Sequence, residues 1–176
     1  IVAQFPRPDG RMATVHRTSL DPRQPAKATI ITADGEIPPA KRNGVSALPL
    51  TGGAVRLMQP RDGEVGVAEG LESAYAAYML FGVPAWNCLN RVLLSQFVVP
   101  PDLGIRTVHI FADFDRIDAK TRNSPGLADA LGLEKRLRAE GLHTVMHRPK
   151  VRGTDFCDQW RTEYQLRLMS QQAVTA

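Results

Sequence analysis

From Val65 to His147 the apolar positions follow two rhythms in turn. Short, nearly continuous apolar runs at Val65–Ala68, Val83–Asn87, Thr107–Ala112 and Leu142–His147 read as strands covered on both faces, as in a parallel sheet. Between them the spacing becomes helical. Leu71, Ala74, Tyr78 and Phe81 share one face before Gly82 and Pro84 stop the turn. Leu127, Ala130, Leu133 and Leu137 do the same between Ser124-Pro125, an N-cap with a first-turn proline, and Gly141. Arg91–Val98 reads as a short helical or irregular connection, and Phe156–Met169 as a last helix. The alternation predicts an α/β fold: a doubly wound, four-stranded parallel sheet with flanking helices.

Residues 1–62 have a different texture, rich in Pro and Gly, with short β-like runs at Met12–Ser19, Ala28–Thr32 and Ala54–Leu57. They predict a small β-rich lobe, which divides the chain into 1–62 and 63–176. Thr51-Gly52-Gly53 precedes a β-like run rather than Lys-Ser/Thr and a helix, so it reads as a turn and not as a phosphate loop.

Composition narrows the class. With 176 residues, 43% hydrophobic and 23% charged, the chain can bury one good core. No apolar run is long enough to span a membrane, and the start, Ile1-Val2-Ala3-Gln4, is neither a signal peptide nor a Met start. It is expected to belong to a longer chain. The formal net charge is +4, and residues 1–62 carry the whole of it, with nine Lys and Arg against five Asp and Glu. A basic lobe beside a lobe with clustered acids suits a phosphate polymer held against a cation site. Two cysteines, Cys88 and Cys157, lack Cys-x-x-Cys spacing. That excludes a four-cysteine zinc ribbon and leaves a reducing, cytoplasmic setting as the expectation. His109, inside an apolar strand, reads as a hydrogen-bonded core residue.

The candidate chemistry lies where two of the strands end. Thr107–Ala112 runs into Asp113-Phe114-Asp115, and Val65–Ala68 runs into Glu69-Gly70. Alternation along an extended segment would point Asp113 and Asp115 one way and Phe114 into the packing. Acids at the same edge of two parallel strands can converge where open α/β sheets place ligands, in an arrangement suited to Mg²⁺ and phosphate. Asp155 and Asp158 open the last helix, either as a further acidic cluster or, for Asp155, as an N-cap. Glu72 reads equally as a solvated residue or a supporting one.

Ala68-Glu69-Gly70-Leu71-Glu72-Ser73, then Ala112-Asp113-Phe114-Asp115, then Gly153-Thr154-Asp155-Phe156-Cys157-Asp158 resemble, in order, the motifs of the Toprim domain in its phage- and plasmid-type primase variety. The likeness covers about Val65 to Trp160. It implies Glu69 as the acid/base residue and Asp113 and Asp115 as ligands of Mg²⁺ (or Mn²⁺), with Asp155 and Asp158 completing the metal site. It departs from the Asp-x-Asp tail of bacterial replicative primases in placing Cys157 where the second acid would fall. The function implied is primer synthesis on a single-stranded DNA template from nucleoside triphosphates, within a larger mobile-element primase or primase-helicase. A helicase, or a zinc-ribbon segment or partner, would then supply template recognition. Regional likeness makes Arg17, Lys27, Lys41 and Arg42 candidates for nucleic-acid binding, and Arg116, Lys120 and Arg122 beside the Asp pair join them. Toprim nuclease chemistry and a non-catalytic DNA- or helicase-binding scaffold are the alternatives. Clustered acids weigh against the scaffold. Tyr75, Tyr78 and Tyr164 on predicted helices weigh against a topoisomerase.

Overall fold

A computed structural model describes residues 1–116 and 124–175, with side chains to Gln172. The four apolar runs form strands β4 (Glu64–Ala68), β5 (Ala85–Asn87), β6 (Thr107–Phe111) and β7 (His143–His147) of one parallel sheet. Strands β1 (Val2–Pro6), β2 (Met12–Thr18) and β3 (Lys41–Asn43) precede them as a separate antiparallel sheet. Helices α1 (Leu71–Phe81), α2 (Arg91–Ser95), α3 (Pro125–Ala139) and α4 (Phe156–Thr175) complete the chain. Helix α1 has the expected bounds, but its buried face is Leu71, Ala74 and Ala77, while Tyr78 and Phe81 are exposed. It ends at Gly82, whose left-handed φ of 70° stops the helix and lets its amide return to the Tyr78 carbonyl. Among the described residues no helix is long and apolar enough to cross a membrane.

Because successive strand residues face opposite ways, the sheet builds two apolar layers. Val65, Val67, Val108 and Ile110 pack with Leu94 of α2 and Ala130, Leu133 and Leu137 of α3. Ala68 and Phe111 pack on the other face with Ala74 and Ala77 of α1 and Phe156 of α4. Fully burying side chains of the size of Phe97, Leu94 and Leu133 contributes roughly 1.5–3 kcal/mol each. His109 is hydrogen-bonded as expected, its Nδ1 2.9 Å from Nε2 of His147, but it is partly buried rather than in the core.

The parallel sheet runs β5-β4-β6-β7. The chain leaves β4 toward β5 on one side and returns as β6 on the other, so the order reverses between β4 and β6. The crevice at their carboxyl ends is the topological switch point.

The amino-terminal lobe is smaller in sheet content than its β-like runs imply. Residues 28–32 form no strand. Ile30 and Ile31 are exposed, at 43% and 68%, and the segment leads into a turn in which the Thr32 amide donates to the Glu36 carbonyl. Its β-branched residues have propensity but no neighbouring strand to pair with. The run around Val55 pairs instead with the parallel sheet: Val55 and Asn87 exchange both backbone hydrogen bonds at the β5 edge. Phe5, Ala13 and Val55 also pack with Leu89 and Leu93, on the α/β side of residue 62. The antiparallel lobe is thus seated on the carboxyl end of β5.

Candidate active site

Parallel pairing places Ala68 opposite Phe111, so Glu69 and the Asp113–Asp115 segment leave the sheet together at the switch point. Gly70 then opens α1 behind Glu69. Strand β6 ends at Phe111, yet the pairing runs on: the Ala112 amide donates to the His147 carbonyl, and the charges of both Asp113 and Asp115 bear on Glu69. Asp113 lines the cleft with Glu69, facing Asp155, whereas Asp115 leans toward the amino end of α3. Phe114 is buried, and its amide donates to the Thr154 carbonyl, tying the Asp pair to the loop before α4.

The acidic cluster is under electrostatic stress. Burial, then the charges of Asp113 and Asp115, push Glu69 up to about 7, with Arg91 opposing. Burial, then Asp155, Asp115 and Asp158, push Asp113 up to about 7, with Lys41 opposing. Glu69 Oε1 and Asp113 Oδ1 are buried without a hydrogen-bond partner among the described residues. Two buried carboxylate oxygens without donors call for a proton or a cation. A divalent ion with hard-oxygen preference fits them, since Mg²⁺ commonly takes only one or two protein carboxylates and fills its shell with water and phosphate oxygens. Among the described residues no group of three His, Cys, Asp or Glu side chains is arranged to hold a metal ion by itself.

The amino end of α3 supplies a nearby donor. The Gly126 amide lies 3.4 Å from Asp115 Oδ2, and a Cβ at Gly126 would meet Glu69 Oε1 at 2.8 Å. Close approach of a helix start, with its positive dipole end, to two carboxylates requires a residue without a side chain. Gly126 went unnoticed in the sequence; the signal available was its place directly after the Ser124-Pro125 helix start.

The remaining site candidates fall into distinct settings. Asp155 and Asp158 form a reciprocal capping box at α4: the Asp158 amide donates to Asp155 Oδ1 at 2.8 Å, and the Asp155 amide lies 3.3 Å from Asp158 Oδ2. The capping geometry is therefore realised, and it engages one oxygen of each carboxylate. Lys27 and Lys41 reach across from the antiparallel lobe to Glu72 on α1, at 3.0 and 2.5 Å. Burial alone would raise Glu72, but hydrogen bonds from Lys41, its own amide and Lys27 hold it down at about 2. Arg17 and Arg42 stand directly opposite each other on β2 and β3, both exposed. Arg116 is exposed beside Asp115, while Lys120 and Arg122 lie outside the described residues.

Between the two lobes lies a cleft of about 1150 Å³, walled by Lys27 and Lys41 on one side and by Glu69, Asp113 and Asp155 on the other; Arg17, Arg42 and Arg116 are not among its lining residues.

No family model matches the sequence, and no curated protein matches it. Among solved structures, the chain is similar to the crystal structure of a DNA primase domain from Pseudomonas aeruginosa. The TM-score is 0.49 and the identity 14%, over 91% of this chain and 53% of that one. The chain thus spans about half the length of that structure.

Proposed function

We propose that the cleft carries out cation-dependent nucleotidyl transfer of the Toprim primase kind, extending a primer on single-stranded DNA. The observation that supports this most is the pair of donorless buried oxygens, Glu69 Oε1 and Asp113 Oδ1, at the switch point of the sheet. The order of the Glu69, Asp113-x-Asp115 and Asp155 motifs agrees with it.

In this reading Asp113 and Asp115 hold Mg²⁺ or Mn²⁺, with Asp155 and Asp158 near enough to add negative charge. A bound divalent ion would supply neutralisation of the phosphate charge that grows during transfer. Glu69, poised near neutral pH by burial and its acidic neighbours, accepts the proton of the attacking 3′-hydroxyl. The hydroxyl oxygen forms a bond to the α-phosphorus of a nucleoside triphosphate. The bond to the bridging oxygen breaks, and pyrophosphate leaves with that electron pair. Lys27 and Lys41 face this position from the other wall, where exchange of Glu72 for a phosphate would keep them neutralised.

Incubation of the full chain with labelled nucleotides, single-stranded DNA and Mg²⁺ or Mn²⁺ tests the proposal. New labelled oligonucleotide, lost in Glu69→Gln, is the expected result. Shortened template would indicate nuclease chemistry. Neither product, from a chain that still binds DNA, would indicate a scaffold and overturn the catalytic reading.

A further inference from the structure

Two guanidinium groups rest on the ring that separates the paired aspartates. Arg148 and Arg152, from the loop between β7 and α4, lie 4.9 and 4.2 Å from the Phe114 centroid. A third, Arg116, crosses the same loop, its Cγ and Nε 3.1 Å from where a Cβ on Gly153 would stand. The loop is fixed to Phe114 by two backbone hydrogen bonds, Phe114 to Thr154 and Gly153 to Phe114.

These three arginines differ in setting from the other basic groups near the cleft. Lys27 and Lys41 are matched by Glu72, and Lys150, in the same loop, by Glu163. No carboxylate among the described residues pairs with Arg116, Arg148 or Arg152. Stacking on an aromatic face orients a guanidinium and lowers the entropy lost when it binds. Holding two cations against one ring, with a third across the same loop, costs repulsion that an anion would relieve. Planar, pre-oriented guanidiniums match phosphate oxygens in pairs.

We infer that Arg148 and Arg152, with Arg116, form a phosphate-binding rim beside the acidic cluster, around the loop between β7 and α4. The inference rests on the nucleotidyl-transfer reading for its ligand: the phosphates of a nucleic-acid strand or of a nucleoside triphosphate. It adds to Lys27 and Lys41 a second basic surface, joined through Phe114 to the segment that carries the paired aspartates.

The test measures binding of a labelled single-stranded oligonucleotide and of a labelled nucleoside triphosphate to the full chain over a range of salt. The variants are Arg148→Gln, Arg152→Gln and their double, with Lys150→Gln as the control for an equal charge change in the same loop. Melting temperatures show which variants remain folded; where the double does not fold, the single variants are read. The double variant is expected to lose affinity at low salt. For the strand, its log–log salt slope should flatten by roughly 0.7 for each phosphate contact removed. Lys150→Gln should change little. Loss confined to the oligonucleotide assigns the rim to the strand, and loss confined to the triphosphate assigns it to the nucleotide. Parent-like binding of both by folded Arg148 and Arg152 variants would overturn the rim and leave the nucleotidyl-transfer reading standing. A parent chain that binds neither probe would overturn both.

Discussion

The amide of Gly126, in the first turn of α3, faces the Asp115 carboxylate across 3.4 Å. A methyl group at that position would stand 2.9 Å from the same oxygen and 2.8 Å from Glu69 Oε1, closer than carbon and oxygen can come without one of them moving. The acids at the ends of β4 and β6 are therefore fitted to the start of a helix from the next crossover.

Gly126→Ala should consequently separate stability from activity. Alanine is favoured over glycine in a helix by roughly 0.5–1 kcal/mol, and the groups forced to yield are side-chain ends. The melting temperature is expected to stay near that of the parent. Displacing Glu69 and Asp115 by part of an ångström should lower turnover by roughly ten- to a hundredfold. Thermal melts and steady-state rates on one preparation check both halves. Parent-like turnover in the folded variant would remove Gly126 from the site.

Asp113 carries a signature in pH. Glu69 and Asp113 titrate near 7 in the folded chain against ordinary values of 4.5 and 3.8. The folded state thus holds their protons more tightly than the unfolded state does, and both groups destabilise the fold as pH rises from about 4 to about 7. His147, pushed down to about 4 by burial and by His109, has the opposite slope: it costs stability as pH falls from about 6.5 to about 4. The difference between Asp113→Asn and the parent cancels the histidine. That difference in melting temperature should be near zero at pH 4 and climb to a positive plateau above pH 7. Mg²⁺ should raise the parent more than the variant. A variant less stable than the parent across the whole range would mark Asp113 as a structural group.

How far the sequence could be read followed the range of the forces involved. Helix α1 was legible to the residue, because Gly70, Gly82 and the spacing of Leu71 and Ala74 are local signals. The approach of Glu69 to the Asp pair was legible because strand–acid–turn repeats at two strands and parallel sheets align their carboxyl ends. The bridge from Phe114 to Thr154, which ties the Asp pair to the loop before α4, was not. Neither was the contact of Gly126 with the acids, nor the pairing of Glu72 with Lys27 and Lys41, because each joins segments distant in the chain. Ala28–Thr32 misled for a related reason: β propensity is realised only where a neighbouring strand exists.

Glu72 links the lobes, and its removal should weaken them modestly. Its two ion pairs are partly exposed, with side-chain exposures from 33% to 51%, so Glu72→Gln should cost on the order of 1 kcal/mol near neutral pH. Because the folded carboxyl is held near 2 against 4.5, this stability is present above pH 4.5 and is lost as pH falls toward 2. The parent and variant curves should therefore converge in acid. The freed lysines should also tighten oligonucleotide binding at low salt and steepen its salt dependence. Unaltered binding by Glu72→Gln would show that Lys27 and Lys41 serve the lobe contact alone.

Asp155 allows capping and cation binding to be told apart, because two substitutions affect them differently. The capping role needs a side-chain oxygen that accepts from the Asp158 amide, and asparagine provides one as well as aspartate does. A cation needs the charge, which asparagine lacks. Asp155→Ala should lose about 0.5–2 kcal/mol with or without Mg²⁺, since α4 then begins without its acceptor. Asp155→Asn should melt close to the parent in metal-free buffer. If the carboxylate also serves the cation, the stabilisation that Mg²⁺ gives the parent should shrink in Asp155→Asn, and calorimetric titration should show weaker binding. If Asp155 only caps α4, Asp155→Asn should bind Mg²⁺ as well as the parent does. It could bind even more tightly, because Asp113, relieved of its largest charged neighbour, would release its proton more readily. An unshifted Mg²⁺ isotherm in a stable Asp155→Asn would confine the metal ligands to the switch point and leave the tail motif as a helix start.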